Sequence, residues 1–175
     1  LSLYTERGLD RFAAALREAR HRGARIAMDS NYRPRGWGTD PGRARRTFER
    51  FWRLADFALP MLEDEQALWG DRDAMTAAER LQSLGVREVV VKLGARGAFV
   101  ASDGLEVTVP AESGVRVVDT TAAGDSFNAA YLAARRSGAS PVDAARFGNR
   151  LAAVVIQHRG AIVPEEATAA LLGNR

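Results

Sequence analysis

Val117-Val118-Asp119-Thr120-Thr121-Ala122-Ala123-Gly124-Asp125-Ser126 decides the fold class of this chain. Two valines open this stretch. A series of small residues then leads into Phe127, Ala130, Tyr131 and Ala134, which recur at helical spacing. The pattern predicts a buried strand passing into an amphipathic helix that opens near Asp125. Such a junction exposes the first amides of the helix, which have no intrahelical acceptor, at the positive end of its dipole. An anion reaches them only past small side chains, a condition met by Ala122, Ala123 and Gly124. The carboxylate of Asp125, beside that anion site, suits a general base; equally, an Asp here can simply cap its helix. Both readings stand on the residues alone.

Working outward, Val89-Val90-Val91 reads as a fully buried strand, followed by Lys92-Leu93-Gly94-Ala95-Arg96-Gly97. From Gly97 to Val118 the period becomes two. Ser102-Asp103-Gly104 marks a hairpin turn and Leu105, Val107 and Val109 alternate, so antiparallel strands near a sheet edge are expected. Toward the N-terminus, Thr76-x-x-Glu79 is a capping-box pattern for a helix ending at Gly85, and a short strand lies around Asp56 to Leu59. Before these come a helix from near Pro41, a strand from Ala24 to Asp29 with the polar loop Ser30 to Gly38 after it, and a helix from Thr5 carrying Leu9, Phe12, Ala13 and Leu16 and stopping at Gly23. Toward the C-terminus, Ser140-Pro141 opens a helix carrying Ala144, Phe147, Leu151 and Val154. Helices alternating with buried strands mean an α/β sandwich.

The 175 residues, 46% hydrophobic, suffice for one core and one domain. No run of eighteen apolar residues and no basic-then-apolar leader is present, so a cytoplasmic protein with no membrane partner is expected. The absence of cysteine excludes disulfides, zinc-thiolate sites and thiol nucleophiles. The net charge of +3 is carried almost wholly by arginine, Lys92 being the only lysine. Arg43, Arg45 and Arg46 share a helical pattern with Phe48, Phe51 and Trp52, which reads as a solvated helix face and not as a nucleic-acid site. His21 and His158 are expected at helix ends. Neither GxxxxGK[ST] nor GxGxxG occurs, which sets aside Walker-loop and dinucleotide-fingerprint proteins. The chain opens at Leu1, and a piece of a longer protein is expected.

The run from Asp119 through Asp125 to Leu132 resembles the C-terminal signature of ribokinase-like (pfkB-type) carbohydrate kinases. Ala122 stands where the family usually has Gly, a variant similar to its 2-keto-3-deoxygluconate kinase branch. Asp29-Ser30-Asn31-Tyr32-Arg33-Pro34-Arg35-Gly36-Trp37, Leu68-Trp69-Gly70 and Val155-Ile156-Gln157-His158-Arg159-Gly160-Ala161 resemble the same branch. The resemblance implies a three-layer α/β/α sandwich, its sheet mostly parallel with antiparallel edge strands. Residues 1–175 would be the C-terminal nucleotide-binding and catalytic part, without the N-terminal sugar-binding half and lid. It implies ATP-dependent phosphorylation of a sugar acid, 2-keto-3-deoxygluconate to its 6-phosphate. A kinase of fructose or ribose, or a non-catalytic nucleotide-binding fragment, stands as the alternative.

By the same resemblance Asp125 is the catalytic base and Ala122, Ala123 and Gly124 form the anion hole; Arg33, Ala122 and Asp125 contact substrate. Asn31, Arg33, Lys92, Leu93, Gly94, Ala95, Arg96, Gly97, Ala123, Gly124 and Asn149 contact the nucleotide. Asp119 and Thr121 match positions that bind a monovalent cation such as K+. Mg2+ is expected with ATP, but the family's Asn-x-x-Glu motif is altered to Met61-Leu62-Glu63-Asp64-Glu65, which leaves Asp64 and Glu65 both open as its carboxylate. A homo-oligomer is expected at full length.

Overall fold

A computed structural model of the chain describes residues 5–38 and 40–172. Helix α1 (Glu6–His21) opens on Thr5, whose Oγ1 accepts from the Gly8 amide at 3.1 Å, and the chain turns away at Gly23 with φ 86°. Strand β1 covers only Ala27–Met28. The expected Ala24–Asp29 strand is shorter in the structure: the Ile26 amide donates to Asp56 Oδ2 at 2.8 Å instead of to a neighbouring strand, while its carbonyl takes the Asp56 and Phe57 amides. The polar loop beyond β1 holds a single 3-10 turn, Pro34–Gly36.

Helix α2 (Pro41–Trp52) is capped by Asp40 and starts on proline, the arrangement a first helical turn tolerates best. It buries Ala44, Phe48, Phe51 and Trp52, while Arg45 and Arg46 are exposed and Arg43 is half-buried. Leu9 and Ala13 of α1 pack with Phe51, flanked by Leu16, Met28 and Leu54. β2 (Phe57–Ala58) leads into α3 (Leu62–Trp69), a helix the sequence pattern does not announce. In α4 (Ala74–Ser83) the cap is Asp73 and not Thr76: the amide and hydroxyl of Thr76 both donate to Asp73 Oδ1 at 2.8 Å. β3 (Glu88–Lys92) is buried along its length.

β1 and β2 pair in parallel, as do β2 and β3, with Ala27 opposite Phe57 and Ala58 opposite Val89. β4 (Ala98–Ser102) and β5 (Leu105–Val109) complete a sheet of order β1-β2-β3-β4-β5. Their turn, Asp103-Gly104, has φ of 48° and 79°, the pair of positive values that a tight hairpin demands. A parallel neighbour needs a crossover of about a dozen residues or more. The short links Leu93–Gly97 and Asp103-Gly104 therefore make β3-β4 and β4-β5 antiparallel, so the sheet is mixed.

Contacts divide the chain into two units, residues 1–91 with 101–105 and residues 92–100 with 106–175. The second contains α5 (Ala123–Arg136), α6 (Pro141–Val155) and α7 (Glu165–Leu172), the last not anticipated from sequence. Ser140 caps α6 through the Asp143 amide, as the Ser-Pro pair suggests. The buried face of α6 is Ala144, Ala145, Gly148 and Asn149, whereas Phe147, Leu151 and Val154 are only half-buried. Phe127 of α5 explains the rotation: a Cβ on Gly148 would lie 2.7 Å from its ring, so the helices meet on the small-residue side. Val117 and Val118 are not a buried strand. They are 60% and 44% exposed, and the Val118 and Asp119 amides donate to the Ile156 carbonyl at the end of α6. His21 ends α1 and His158 follows α6, both helix-end positions.

Candidate active site

The turn into α5 is built differently from the other long helices. α1, α2, α4 and α6 each have a side-chain cap, from Thr5, Asp40, Asp73 and Ser140. The N-cap of α5 is Ala122, which has no capping group and sits in the left-handed region at φ 61°. A non-glycine residue there is strained by roughly 1–2 kcal/mol, which is why glycine is the easier residue at this position. The Ala123 amide closes a turn onto Thr120 at 3.2 Å, and the first helical bond runs from Ser126 to Ala122. The amides of Ala122, Gly124 and Asp125 have no acceptor among the described residues.

Asp125 is the third helical residue and not the cap, and it is exposed. No hydrogen bond or ion pair engages its carboxylate among the described residues. Beneath this turn lies Lys92, the last residue of β3, only 5% exposed. Its Nζ donates to Asn128 Oδ1 at 3.1 Å and would be 3.4 Å from a Cβ on Gly124. The side chain lies against the first two turns of α5.

The rest of that loop, Leu93 to Gly97, is a tight return: the Leu93 amide donates to the Gly97 carbonyl at 2.8 Å, around the 3-10 turn Gly94–Arg96. Gly97, at φ 95°, lies so close to the end of β5 that a Cβ would stand 2.0 Å from the Val109 carbonyl oxygen. Asn149 reaches the same place from α6, its Nδ2 donating to the Val109 carbonyl at 3.1 Å and to that of Pro110 at 2.9 Å. The loop and Asn149 thus meet on one stretch of backbone, and the buried Asn149 amide is spent on holding it. Gly97→Ala combines a forbidden contact with an unfavourable φ and is expected to destabilise by more than about 2 kcal/mol. A thermal melt lowered by roughly 4 °C or more checks it.

Asp119 organises the approach to α5. Its Oδ1 accepts from the Thr121 amide at 2.9 Å and hydroxyl at 2.7 Å, and its Oδ2 from the Gly160 amide at 2.8 Å. These donors, the Gly160 amide foremost, hold its pKa at about 2, below the ordinary 3.8. A depressed carboxylate contributes stability that is present above its unfolded value and lost as pH falls through the folded one. The melting difference between wild type and Asp119→Asn should therefore be constant above pH 3.8 and close as pH falls toward 2; a difference that does not change over that range would remove these bonds from the account.

In the first unit, Asn31 has φ 41° and its amide donates to Asp29 Oδ1 at 3.0 Å, an Asx turn that leaves its side chain exposed. Arg33 follows, its side chain 67% exposed, with Nη1 on the Tyr32 carbonyl at 3.0 Å and 4.0 Å from Asp64 Oδ2. Asp64 Oδ2 also accepts the Tyr32 amide at 3.1 Å. Its neighbour Glu65 is wholly buried, taking a bond from Ser30 Oγ at 2.7 Å and from Arg80 Nη2 at 2.6 Å. Burial pushes the Glu65 carboxyl up, against the opposing pull of Ser30 and Arg80. Arg80 also binds Asp71 at 2.6 Å and lies over the Trp69 ring at 4.5 Å.

The sequence pattern of the pfkB family carbohydrate kinases matches residues 6–168. The chain belongs to this family. It is 42% identical over 171 residues to the 2-dehydro-3-deoxygluconokinase of Escherichia coli K12, covering 95% of this chain and 55% of that protein. The chain therefore spans about half the length of the curated relatives it matches. Among solved structures, an E. coli protein assigned as a ribokinase II, in complex with ATP and Mg2+, superposes with a TM-score of 0.81 at 27% identity, covering 95% of this chain and 52% of that one. A fructokinase of Vibrio cholerae O395 with fructose, ADP and calcium ion bound gives 0.80 at 28%, covering 91% and 53%. These likenesses establish the ribokinase-like α/β/α fold expected from the sequence.

Within this pfkB chain burial separates the two carboxylates of the altered motif. Glu65 is committed to Ser30 and Arg80 inside the protein, whereas Asp64 is half-buried beside Tyr32 and Arg33. Among the described residues no cluster of three acidic or histidine side chains is placed to hold a metal ion. Magnesium seldom needs one, since it keeps several waters and leans on one or two carboxylates plus substrate phosphates. Asp64 fits that lesser demand. Asp119 and Thr121 are adjacent as expected, but three donors already fill most of the Asp119 carboxylate, so the pair fits a cation only as part of a larger oxygen set. Among the described residues, no helix is long and apolar enough to cross a membrane.

Proposed function

We propose that this chain carries the nucleotide-binding and catalytic part of an ATP-dependent kinase of a sugar acid, 2-keto-3-deoxygluconate, yielding its 6-phosphate. The observation that carries the reading is the α5 turn, where uncapped amides of Gly124 and Asp125 adjoin an unengaged carboxylate. Phosphoryl transfer demands chiefly positioning and charge stabilisation. The amides of Gly124 and Asp125, with Ala122 and Ala123 shaping the turn, hold the phosphoryl oxygens. Asp125 accepts the proton of the sugar hydroxyl as its oxygen bonds to the γ-phosphorus and the bond to ADP breaks. Mg2+, when bound with ATP, neutralises charge on the phosphates, and Asp64 is the residue to hold it. The Leu93–Gly97 return, with Asn149 fixing its neighbouring backbone, forms the floor for the adenosine. Asn31 serves the phosphates, and Asp119 with Thr121 contributes to a K+ site.

The acid substrate is supported by the identity to 2-dehydro-3-deoxygluconokinases, 42% in E. coli and 40% in Dickeya dadantii. Arg33 is the group proposed for its carboxylate, because an exposed guanidinium offers a planar fork that a lysine lacks. A coupled assay on the full gene product tests this. Wild type should prefer 2-keto-3-deoxygluconate to fructose or ribose, and Arg33→Ala should lose roughly tenfold or more in apparent affinity for the acid, from about 1.5–3 kcal/mol for a charged hydrogen bond. An unchanged preference in Arg33→Ala removes Arg33 as the discriminator, and a preference for a neutral sugar in wild type removes the acid.

A further inference from the structure

We infer that Ser30 is a positioning residue for the sugar-acid site: through its hydrogen bond to the buried Glu65 it fixes the loop after β1 so that Arg33 meets the substrate carboxylate. The inference rests on the role proposed above for Arg33.

The loop is tied to α3 at two successive residues. Ser30 Oγ donates to Glu65 Oε1 at 2.7 Å, and the Tyr32 amide donates to Asp64 Oδ2 at 3.1 Å. Between these ties Asn31 is held at φ 41°, a left-handed backbone that a non-glycine residue keeps where its surroundings over-determine it. Arg33 comes two residues later with its Nη1 on the Tyr32 carbonyl at 3.0 Å. A shift of the backbone at Asn31 and Tyr32 therefore carries the guanidinium with it.

The Glu65 end of the tie is itself fixed. Its other oxygen takes Arg80 Nη2 at 2.6 Å, and Asp71 grips Arg80 at Nε and Nη2, at 3.1 and 2.6 Å. Stability alone does not require this chain of charged groups to end on the loop. The apolar anchors of the loop lie elsewhere: Tyr32 and Trp37 are buried against Phe48 of α2, their ring centroids 6.2 and 5.1 Å from its own. Buried ion pairs are often no more stabilising than apolar side chains of similar volume, whereas their directional bonds select one geometry. Ser30 is 6% exposed, and Glu65 is its side-chain partner.

A double-mutant cycle on the full gene product tests this, with Ser30→Ala, Arg33→Ala and both together. Each protein is read for kcat, for KM toward 2-keto-3-deoxygluconate and by a thermal melt. Ser30→Cys runs alongside, since it nearly keeps the side-chain volume while offering only a weak S–H donor. Each Ser30 variant is expected to raise KM for the acid about three- to tenfold, the worth of one ordinary hydrogen bond, with kcat near wild type. In the Arg33→Ala background Ser30→Ala should add little more, because residues that act through one contact are not additive. A serine that only supports the fold would lower the melt with KM unchanged, or would act equally in both backgrounds. Either result overturns the inference, and so does failure of both Ser30 variants to fold. If wild type does not phosphorylate the acid, or Arg33→Ala has a normal KM for it, the proposed reading of Arg33 fails and this inference falls with it. A raised KM in Arg33→Ala beside a normal one in both Ser30 variants removes Ser30 alone.

Discussion

Asp125→Asn is expected to fold and bind ATP as the wild type does while kcat falls by about 10²–10⁴, the usual worth of a positioned general base. Asparagine preserves the size of the side chain but cannot take the hydroxyl proton. A stability role predicts something else. At the third helical position a negative charge favours the dipole by about 0.3–1 kcal/mol, so loss of that charge would shift the melt by a few degrees at most and leave the rate alone. Steady-state kinetics on the full gene product beside a melt separates the two, because the catalytic reading requires the loss in kcat with KM for ATP little altered. Near-normal kcat in a folded Asp125→Asn protein would return this residue to the helix terminus.

The largest effect expected on stability comes from Arg80→Leu. Arg80 neutralises two carboxylates with little or no exposure, Glu65 and Asp71, at 2.6 Å each. Removing the guanidinium leaves both charges buried and unpaired, for which breaking a buried pair costs about 3–5 kcal/mol. In a chain of this length that corresponds to a melting temperature lower by on the order of 10 °C. The pH dependence has a definite sign. Burial raises the Glu65 carboxyl above its ordinary 4.5, so the native state holds that proton more tightly than the unfolded chain does. Such a group favours folding below the unfolded value, and that contribution is lost as pH rises through the folded one. Without Arg80 the burial is less opposed, so the deficit of Arg80→Leu against wild type should narrow on acidification toward 4.5. A deficit that widens instead would mean that Glu65 is not the group left unpaired.

What was legible in the sequence follows physical range. Caps and stops within a few residues of one another were readable: Thr5 with Gly8, Ser140-Pro141 with Asp143, Gly23 and the Asp103-Gly104 turn all act locally. Thr76 misled because two capping residues stand three apart, and the geometry makes Asp73 the acceptor and Thr76 its donor. α3 was invisible because its first turn is Glu63, Asp64 and Glu65, with only Leu62, Glu65 and Leu68 buried, so no amphipathic period announces it. Val117 and Val118 look like a buried strand by composition, yet their backbone is tied to the end of α6.

In the site, the small residues and Asp125 could be named from the chain because a helix N-terminus is a local structure. Lys92 could be placed in its loop but not under α5, since its contact with Asn128 spans 36 residues. The division of labour between Asp64 and Glu65 likewise depends on Ser30 and Arg80, far away in sequence. Adjacent carboxylates in a helix point in different directions, and only packing decides which is enclosed.

The claim on which the account depends is that the phosphates of ATP rest on the amides that open α5. An amide-resolved NMR titration of this chain with ATP–Mg2+, set against the same titration with adenosine, tests it directly. The account predicts that the Gly124 and Asp125 amides shift strongly with ATP–Mg2+ and little with adenosine, while the Leu93–Gly97 loop responds to both. Shifts confined to other residues, with Gly124 and Asp125 unmoved at saturating ATP, would contradict it.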